Sequence, residues 1–279
     1  METLLNKIFN IDCLEGMKML PKQSVDMVLC DLPYGVLDTK NPHTAWDKKI
    51  PFDKLWEQYT RICKPRAAIV LTGTLPFVLD IINSLPKGYK YQDLIWQKSR
   101  GSNHPNAKRR HLNQHEYVLV VYKNAPTYNP QKYKIDGDFA ARRATKKKQQ
   151  SKHAGFFNVF SGQAAQTYQY QDDGSRYPDT VLEFDTVLPF KSTWRAGMHP
   201  TEKPVDLFAY LVRTYTDEGG VVLDNCIGSG TTAVACMLEK RSFIGFELSE
   251  KYYLMANERL QWAEGAVKAL CDCDKKIEN

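Results

Sequence analysis

Apolar and polar positions follow two rhythms along this chain, and the rhythms alternate. Ser24 to Asp31 (SVDMVLCD) has an apolar core of strand length and closes on an acid. Phe52 to Cys63 then places Phe52, Leu55, Trp56, Tyr59 and Ile62 at helical spacing on one face. Ala67 to Thr72 predicts a strand. Leu75 to Leu85 predicts a helix, stopped by Pro86-Lys87-Gly88. Lys90 to Lys98 and Glu116 to Lys123 are rich in β-branched and aromatic residues, so they predict strands. Pro204 opens a helix running to Tyr215. Val221 to Asp224, Thr231 to Leu238, Ser242 to Glu247 and Glu250 to Glu264 repeat the strand–helix alternation. Continuous apolar strands between helices predict an open α/β sheet covered on both faces. Met1 to Asp12 reads as an amphipathic entry into a strand rather than a signal peptide.

The rhythm lapses between Ala125 and Arg195. That stretch is polar, basic and interleaved with tyrosine and glutamine, including Tyr168, Tyr170 and Tyr177. It is too long for an ordinary loop and reads as an inserted small domain or an adaptive recognition segment. With 279 residues, 43% of them hydrophobic, the chain excludes a disordered or fibrous class and allows one or two domains. No apolar run reaches the ~18 residues of a membrane helix, so no membrane partner is expected. Seven cysteines without a Cys-x-x-Cys pair suit a reducing cytoplasm and give no metal site. Cys271 and Cys273 have no second pair to complete a zinc site.

Charge changes the picture more. The formal net charge is only +6, but Lys98 to His153 holds 14 Lys/Arg against 3 Asp/Glu, and the remainder 24 against 29. A basic segment set into an acidic body marks a polyanion site, with nucleic acid as the expected partner.

Two strand-end motifs carry candidate chemistry. In the last third, Val222-Leu223-Asp224 ends a strand, and Asn225-Cys226-Ile227-Gly228-Ser229-Gly230-Thr231-Thr232 opens a helix. Glycines there let the backbone approach a ligand, and a helix N-terminus favours negative groups. No lysine follows Gly230, which disfavours a phosphate loop. Too little chain follows for a full dinucleotide fold, although Glu247, ending the next strand, stands where an acid can bind ribose hydroxyls. In the first third, Asp31-Leu32-Pro33-Tyr34-Gly35 directly follows a strand. Its acid accepts hydrogen bonds, the proline stiffens the turn, and the tyrosine offers a ring for a flat polar group.

Together these motifs resemble those of the beta group of S-adenosylmethionine-dependent DNA amino-methyltransferases. Asp31-Leu32-Pro33-Tyr34 is similar to the group's Asp/Asn/Ser-Pro-Pro-Tyr. Asp224-Asn225-Cys226-Ile227-Gly228-Ser229-Gly230-Thr231-Thr232 is similar to Asp-Pro-Phe-x-Gly-Ser-Gly-Thr-Thr. The catalytic motif comes first, the cofactor motif last, and a variable basic region lies between. Asp12-Cys13, Asn113 to Val121 (NQHEYVLVV) and His199-Pro200-Thr201-Glu202-Lys203-Pro204 also resemble the group's segments. Leu32 departs from the usual proline, and Asn225-Cys226 from Pro-Phe.

The resemblance implies a Rossmann-like methyltransferase sheet, mostly parallel with one antiparallel strand and a permuted motif order. It implies a catalytic domain over 1–123 and 197–279, with a target-recognition insert over 124–196. It implies methyl transfer from S-adenosyl-L-methionine to the N6 amino group of a flipped-out adenine in double-stranded DNA. Asp31 and the Leu32 carbonyl would accept the amine's N–H groups, Pro33 would shape the turn, and Tyr34 would stack on the base. Around the cofactor the resemblance places Asp12, Cys13, Asp31, Asp224, Asn225, Cys226, Gly228, Ser229, Gly230 and Glu247, with Lys203 facing its carboxylate and Thr231 and Thr232 capping the helix. Lys108, Arg109, Arg110, Arg142, Arg143, Lys146, Lys147 and Lys148 would contact DNA phosphates. His115 and Glu116 read as the start of a strand. Alternatives are N4-cytosine transfer, an RNA or protein-amide methyltransferase, and a DNA-binding module with a vestigial cofactor pocket. A homodimer and a cognate restriction endonuclease are further expected partners.

Overall fold

In a computed structural model of the chain, residues 1–36, 40, 47–134, 175–187 and 202–277 are described, the last helix by its backbone alone beyond residue 266. The strands of the main unit are β1 (Lys7–Asn10), β2 (Val25–Cys30), β3 (Cys63–Gly73), β4 (Lys90–Ser102), β5 (Asn113–Tyr122), β8 (Val181–Phe184), β9 (Val221–Asp224) and β10 (Ser242–Glu247). Among the described residues they form one sheet in the order β1-β10-β9-β2-β3-β5-β4-β8. Only β5 runs against its neighbours, pairing antiparallel with both β3 and β4. This is the mostly parallel α/β sheet that the patterning predicts.

Burial alternates with period two along the central strands. Met27 and Leu29 of β2, Ala68 and Val70 of β3, and Val118 and Val120 of β5 enter one core cluster. Val28 and Cys30, Ile69 and Leu71, and Leu119 and Val121 enter the other. The first cluster is closed by helices α4 (Val205–Tyr215), α5 (Thr231–Leu238) and α6 (Glu250–Ile277), through Leu207, Leu211, Ala233, Ala235 and Ala256. The second is closed by α1 (Cys13–Lys18), α2 (Phe52–Ile62) and α3 (Phe77–Asn83), through Met17, Leu55, Tyr59, Phe77 and Ile81. Each such side chain contributes roughly 1.5–3 kcal/mol on burial, and both faces must be covered because the central strands carry apolar side chains on both.

The structure differs from the pattern in two places. Helix α6 continues to Ile277 where the periodicity predicts an end near Glu264. Gly265 costs only about 1 kcal/mol within a helix, and the Ala, Lys and Leu residues beyond it propagate one well. Strand β8 lies inside the segment read as an insert. It pairs parallel with β4, burying Leu182 while Val181 and Glu183 face outward, and the Phe184 carbonyl accepts from Trp96 Nε1 at 2.9 Å. A four-residue edge strand with one buried position leaves too short an apolar run to stand out. Within the 124–196 expected as an insert, the second compact unit spans Pro130–Asp179.

Both chain crossings are anchored within the main unit. Asn129 Nδ2 donates to the Thr216 carbonyl at 3.0 Å, and the Asn129 N–H to the Thr214 carbonyl at 2.7 Å. The Thr180 carbonyl accepts from the Ile95 N–H at 2.8 Å. Within the second unit, β6 (Tyr133–Lys134) pairs antiparallel with β7 (Ser175–Arg176), and the Tyr133 hydroxyl donates to Asp179 at 3.2 Å.

Leu29→Ala, which empties a fully buried position, is expected to cost 2–5 kcal/mol of stability, roughly, while Leu79→Ala on the half-exposed face of α3 changes it by less than about 0.5 kcal/mol. Urea unfolding of the two variants checks this; equal losses would contradict the burial assignment.

Candidate active site

The two strand-end motifs meet because β2 and β9 are neighbours, with Met27 opposite Val222 and Val28 opposite Leu223. Their carboxyl ends therefore present Asp31 and Asp224 side by side, where the sheet order reverses and α/β sheets form clefts. A cleft of about 660 Å³ opens there, within the size range of small-molecule sites. Asp12, Cys13, Asp31, Leu32, Pro33, Tyr34, Lys203, Asp224, Asn225, Cys226, Gly228, Ser229, Thr231 and Glu247 all line it. Gly230 and Thr232 are outside its lining. Lys108, Arg109 and Arg110 lie away from the cleft, exposed in the turn between β4 and β5. Arg142, Arg143, Lys146, Lys147, Lys148, Tyr168 and Tyr170, and the His199–Thr201 part of the segment before Lys203, lie outside the described residues.

On the β2 side, Asp31 is held at both oxygens. Its Oδ1 accepts from the Tyr34 hydroxyl at 2.7 Å and from Thr72 Oγ1 at 2.5 Å. Its Oδ2 accepts from Lys203 Nζ at 2.5 Å. Lys203 thus sits on the acid of the first motif, where the resemblance places it on the cofactor's carboxylate. Burial and the neighbouring Asp31 raise the Tyr34 hydroxyl well above the usual phenol range, so it donates rather than ionises. The Tyr34 ring packs on Phe77 at 4.8 Å between centroids. Leu32 is buried in the core and also lines the cleft. The turn beyond is fixed by the buried Asp47, whose oxygens accept from the Gly35 and Val36 N–H groups at 2.8 and 2.7 Å.

On the β9 side, Asp224 Oδ1 accepts from the Cys226 N–H at 3.0 Å and Oδ2 from Thr232 Oγ1 at 2.5 Å. Burial pushes this acid up to about 7, against the pull of those hydrogen bonds. Thr231 and Thr232 do not cap α5. Gly230 occupies the cap position at φ 82 without a side-chain bond, and the threonines already belong to the helix. Glycine is required there twice over, since a Cβ would also lie 3.2 Å from that of Ala256. Asn225, which replaces the group's proline, accepts from the buried Tyr59 hydroxyl at 2.5 Å. Cys226 Sγ accepts from Asn225 Nδ2 at 3.5 Å, and Cys13, Cys30 and Cys226 are free thiols. Burial holds the Cys30 thiol at about 12, so it stays protonated and inert. Glu247 Oε2 accepts from the Gly228 N–H at 2.9 Å and Oε1 from the Ser249 N–H at 2.8 Å. Burial raises it, against the pull of the backbone groups of Ser249, Gly228 and Leu248, and the residue lines the cleft. Asp12 caps α1, accepting from the Leu14 and Glu15 N–H groups.

The sequence reading did not single out Thr72, Asp47 or Arg259, and took Glu116 only as the start of a strand. Arg259 lies within α6, donates to the Ser229 carbonyl at 3.1 Å and pairs with Glu202 at 2.8 Å, pinning the glycine loop from behind. Nothing in a helical arginine marks it as such. Thr72 closes a predicted strand next to β2, a position that adjacency would reveal once the sheet order is known.

The family model described as DNA methylase, covering N6 and N4 enzymes, matches residues 25–258. The chain belongs to the DNA methylase family. Its order of motifs is that of the beta group. This DNA methylase is 26% identical over 264 residues to the DNA adenine methyltransferase YhdJ of Escherichia coli, covering 92% of this chain and 83% of that one. It is 26% identical over 263 residues to the type II methyltransferase M2.DpnII of Streptococcus pneumoniae, covering 88% and 85%. Among solved structures, M1.HpyAVI with SAM aligns at a TM-score of 0.57 and 21% identity, over 91% of this chain and 98% of that one. The cytosine-N4-specific PvuII DNA methyltransferase aligns at 0.61 and 16%, over 90% and 84%. The fold is therefore shared with an enzyme named for cytosine N4.

For this methylase, Asp224 carries a stability prediction. Its folded value near 7 exceeds the unfolded value of about 3.9, so it favours the fold when protonated, and that contribution is lost as pH rises from about 4 to about 7. Asp224→Asn is expected to gain stability relative to the parent between pH 5 and 8, read from urea midpoints. A pH-independent difference would contradict it.

Proposed function

We propose that this DNA methylase transfers a methyl group from S-adenosyl-L-methionine to the N6 amino group of an adenine flipped out of double-stranded DNA. The observation that carries the reading is Asp31, held at the end of β2 across one cleft from the glycine loop and Glu247. The adenine choice is supported by the Asp-led tetrapeptide and by the relative named as an adenine methyltransferase. The residues fit the cofactor: a glycine turn admits close approach, and Glu247 offers acceptors for two hydroxyls. Asp12, Cys13, Asn225, Cys226 and Ser229 complete that wall. When bound, S-adenosyl-L-methionine supplies an electrophilic methyl group.

The chain's own residues supply positioning and electrostatics. An exocyclic amine is a poor nucleophile because its lone pair is delocalised into the ring. Asp31 and the Leu32 carbonyl accept its two N–H groups, draw the nitrogen towards tetrahedral geometry and stabilise the positive charge that develops. The base reaches this acid only outside the stack, at a cost of a few kcal/mol. Tyr34, fixed by Asp31 and Phe77, presents its ring to it. Lys108, Arg109 and Arg110 contact phosphates from the exposed turn, and Arg142, Arg143 and Lys146 to Lys148 do so from the basic segment. The segment within 124–196, built around the second compact unit, reads the target sequence. Relatives named as type II enzymes support a place beside a cognate restriction endonuclease. A homodimer and residence in the cytoplasm are kept as expectations from the sequence. Among the described residues, no helix is long and apolar enough to cross a membrane.

Incubating the protein with methyl-labelled cofactor and duplex DNA, then digesting to nucleosides, is expected to place label in N6-methyladenine, and Asp31→Ala to abolish it. Label in N4-methylcytosine would overturn the base assignment. DNA binding without turnover would favour the module with a vestigial pocket. Separately, DNA affinity is expected to fall steeply between about 50 and 200 mM salt; a flat series would remove the phosphate contacts.

A further inference from the structure

Glu116 lies at the start of the apolar part of β5, outside the cleft lining and largely buried. Its Oε1 forms an ion pair with Lys98 of β4. Its Oε2 lies 3.5 Å from Lys203 Nζ, with no hydrogen-bond partner of its own. Lys203 in turn holds Asp31. The four side chains alternate in sign along one buried line: Asp31, Lys203, Glu116, Lys98. Their side-chain exposures are 20%, 7%, 13% and 11%, so water screens them little.

The acceptors of Asp31 decide what this line does. Oδ1 already receives two hydroxyls, from Tyr34 and Thr72. Oδ2 receives only Lys203 and keeps one lone pair. An amine entering the cleft is therefore received at Oδ2, beside the Lys203 ammonium. A bare cation there would oppose the positive charge that develops on the amine during methyl transfer.

We propose that Glu116 is a positioning residue for methyl transfer, balancing the Lys203 ammonium so that Asp31 presents its negative charge to the target amine. This rests on the methyl-transfer reading of the cleft. With Glu116 the line is neutral; without it, one net positive charge stands beside the reacting nitrogen. Oε2 is fully buried, so the base cannot reach it, and its separation from Lys203 leaves attraction without a hydrogen bond. That is the contact of a charge balancer rather than of a satisfied structural pair. The groups facing Lys203 are Asp31 from β2, Glu116 from β5 and the Tyr34 ring, 5.9 Å from Nζ. Burial acts to discharge Lys203, and Asp31 and Glu116 outweigh it and hold it above the usual lysine range. Burial likewise acts against the Glu116 charge, and Lys203 and Lys98 outweigh it.

Two readouts on the full chain test the proposal. In steady-state methylation of duplex DNA, Glu116→Gln is expected to lower kcat at neutral pH by about 100-fold, the scale of one preorganised electrostatic contact, with KM values little changed. The deficit should shrink as pH rises and Lys203 discharges. Lys98→Gln added to Glu116→Gln restores local neutrality and should recover a large part of the loss. A kcat unaffected by Glu116→Gln would overturn the proposal. So would a pH-independent deficit that the second substitution deepens, which is how a purely structural role behaves. The second readout needs no turnover: in protein labelled with 15N-lysine, NMR titration of Lys203 Nζ should move to lower pH in Glu116→Gln and to higher pH in Lys98→Gln. Unmoved titrations in both would overturn the coupling even in an active enzyme. A parent protein that shows both shifts yet methylates no DNA would instead sink the methyl-transfer reading.

Discussion

Two rungs of parallel backbone pairing, Met27 with Val222 and Val28 with Leu223, join residues from opposite ends of the chain. The cleft exists only because of them. They bring the end of β2, with its acid and stiff turn, against the end of β9, with its acid and glycine loop. Both strands are buried on both faces, so a slip of one residue would turn every side chain to the wrong layer. Alternation of Met27 and Leu29 with Val28 and Cys30 between two differently filled cores fixes the register. The position of Asp31 relative to Asp224 is thereby set by packing far from either carboxylate.

The two acids serve different ends. Asp224 is turned inward and spends its oxygens on Cys226 and Thr232, shaping the turn that the glycines complete. Its burial favours the protonated form, as befits a structural acceptor. Asp31 is surrounded by donors and a cation, and keeps an acceptor towards the cleft. One sheet edge thus holds a carboxyl group that organises backbone and another that meets a ligand, and the difference lies in what each is paired with. Desolvating so many charges is costly unless each is countered, and the alternation from Asp31 to Lys98 meets that requirement.

Legibility followed range. Val221–Asp224, Thr231–Leu238 and Ser242–Glu247 were plain in the sequence because each is a continuous apolar run bounded by turn residues. Asp31 and the glycine loop were legible because both are contiguous motifs. β8 was not, since its stability comes from the β4 edge rather than from its own four residues. Nor was the place of Lys203, because its partners Asp31, just past β2, and Glu116 of β5 are far away along the chain. Thr231 and Thr232 looked like caps by residue type, but the positive φ of Gly230 moved the helix start and freed Thr232 to bind Asp224. What the sequence withholds is pairing at a distance.

The anchoring of Asn129 and Thr180 has an evolutionary consequence. Chain leaves the sheet-bearing unit at one clamped residue and re-enters it at another, each bonded to the unit's own backbone. The fifty residues between are a cassette with fixed terminals. Such a cassette can be exchanged, lengthened or reshaped while the two clamped residues hold the sheet-bearing unit as it is.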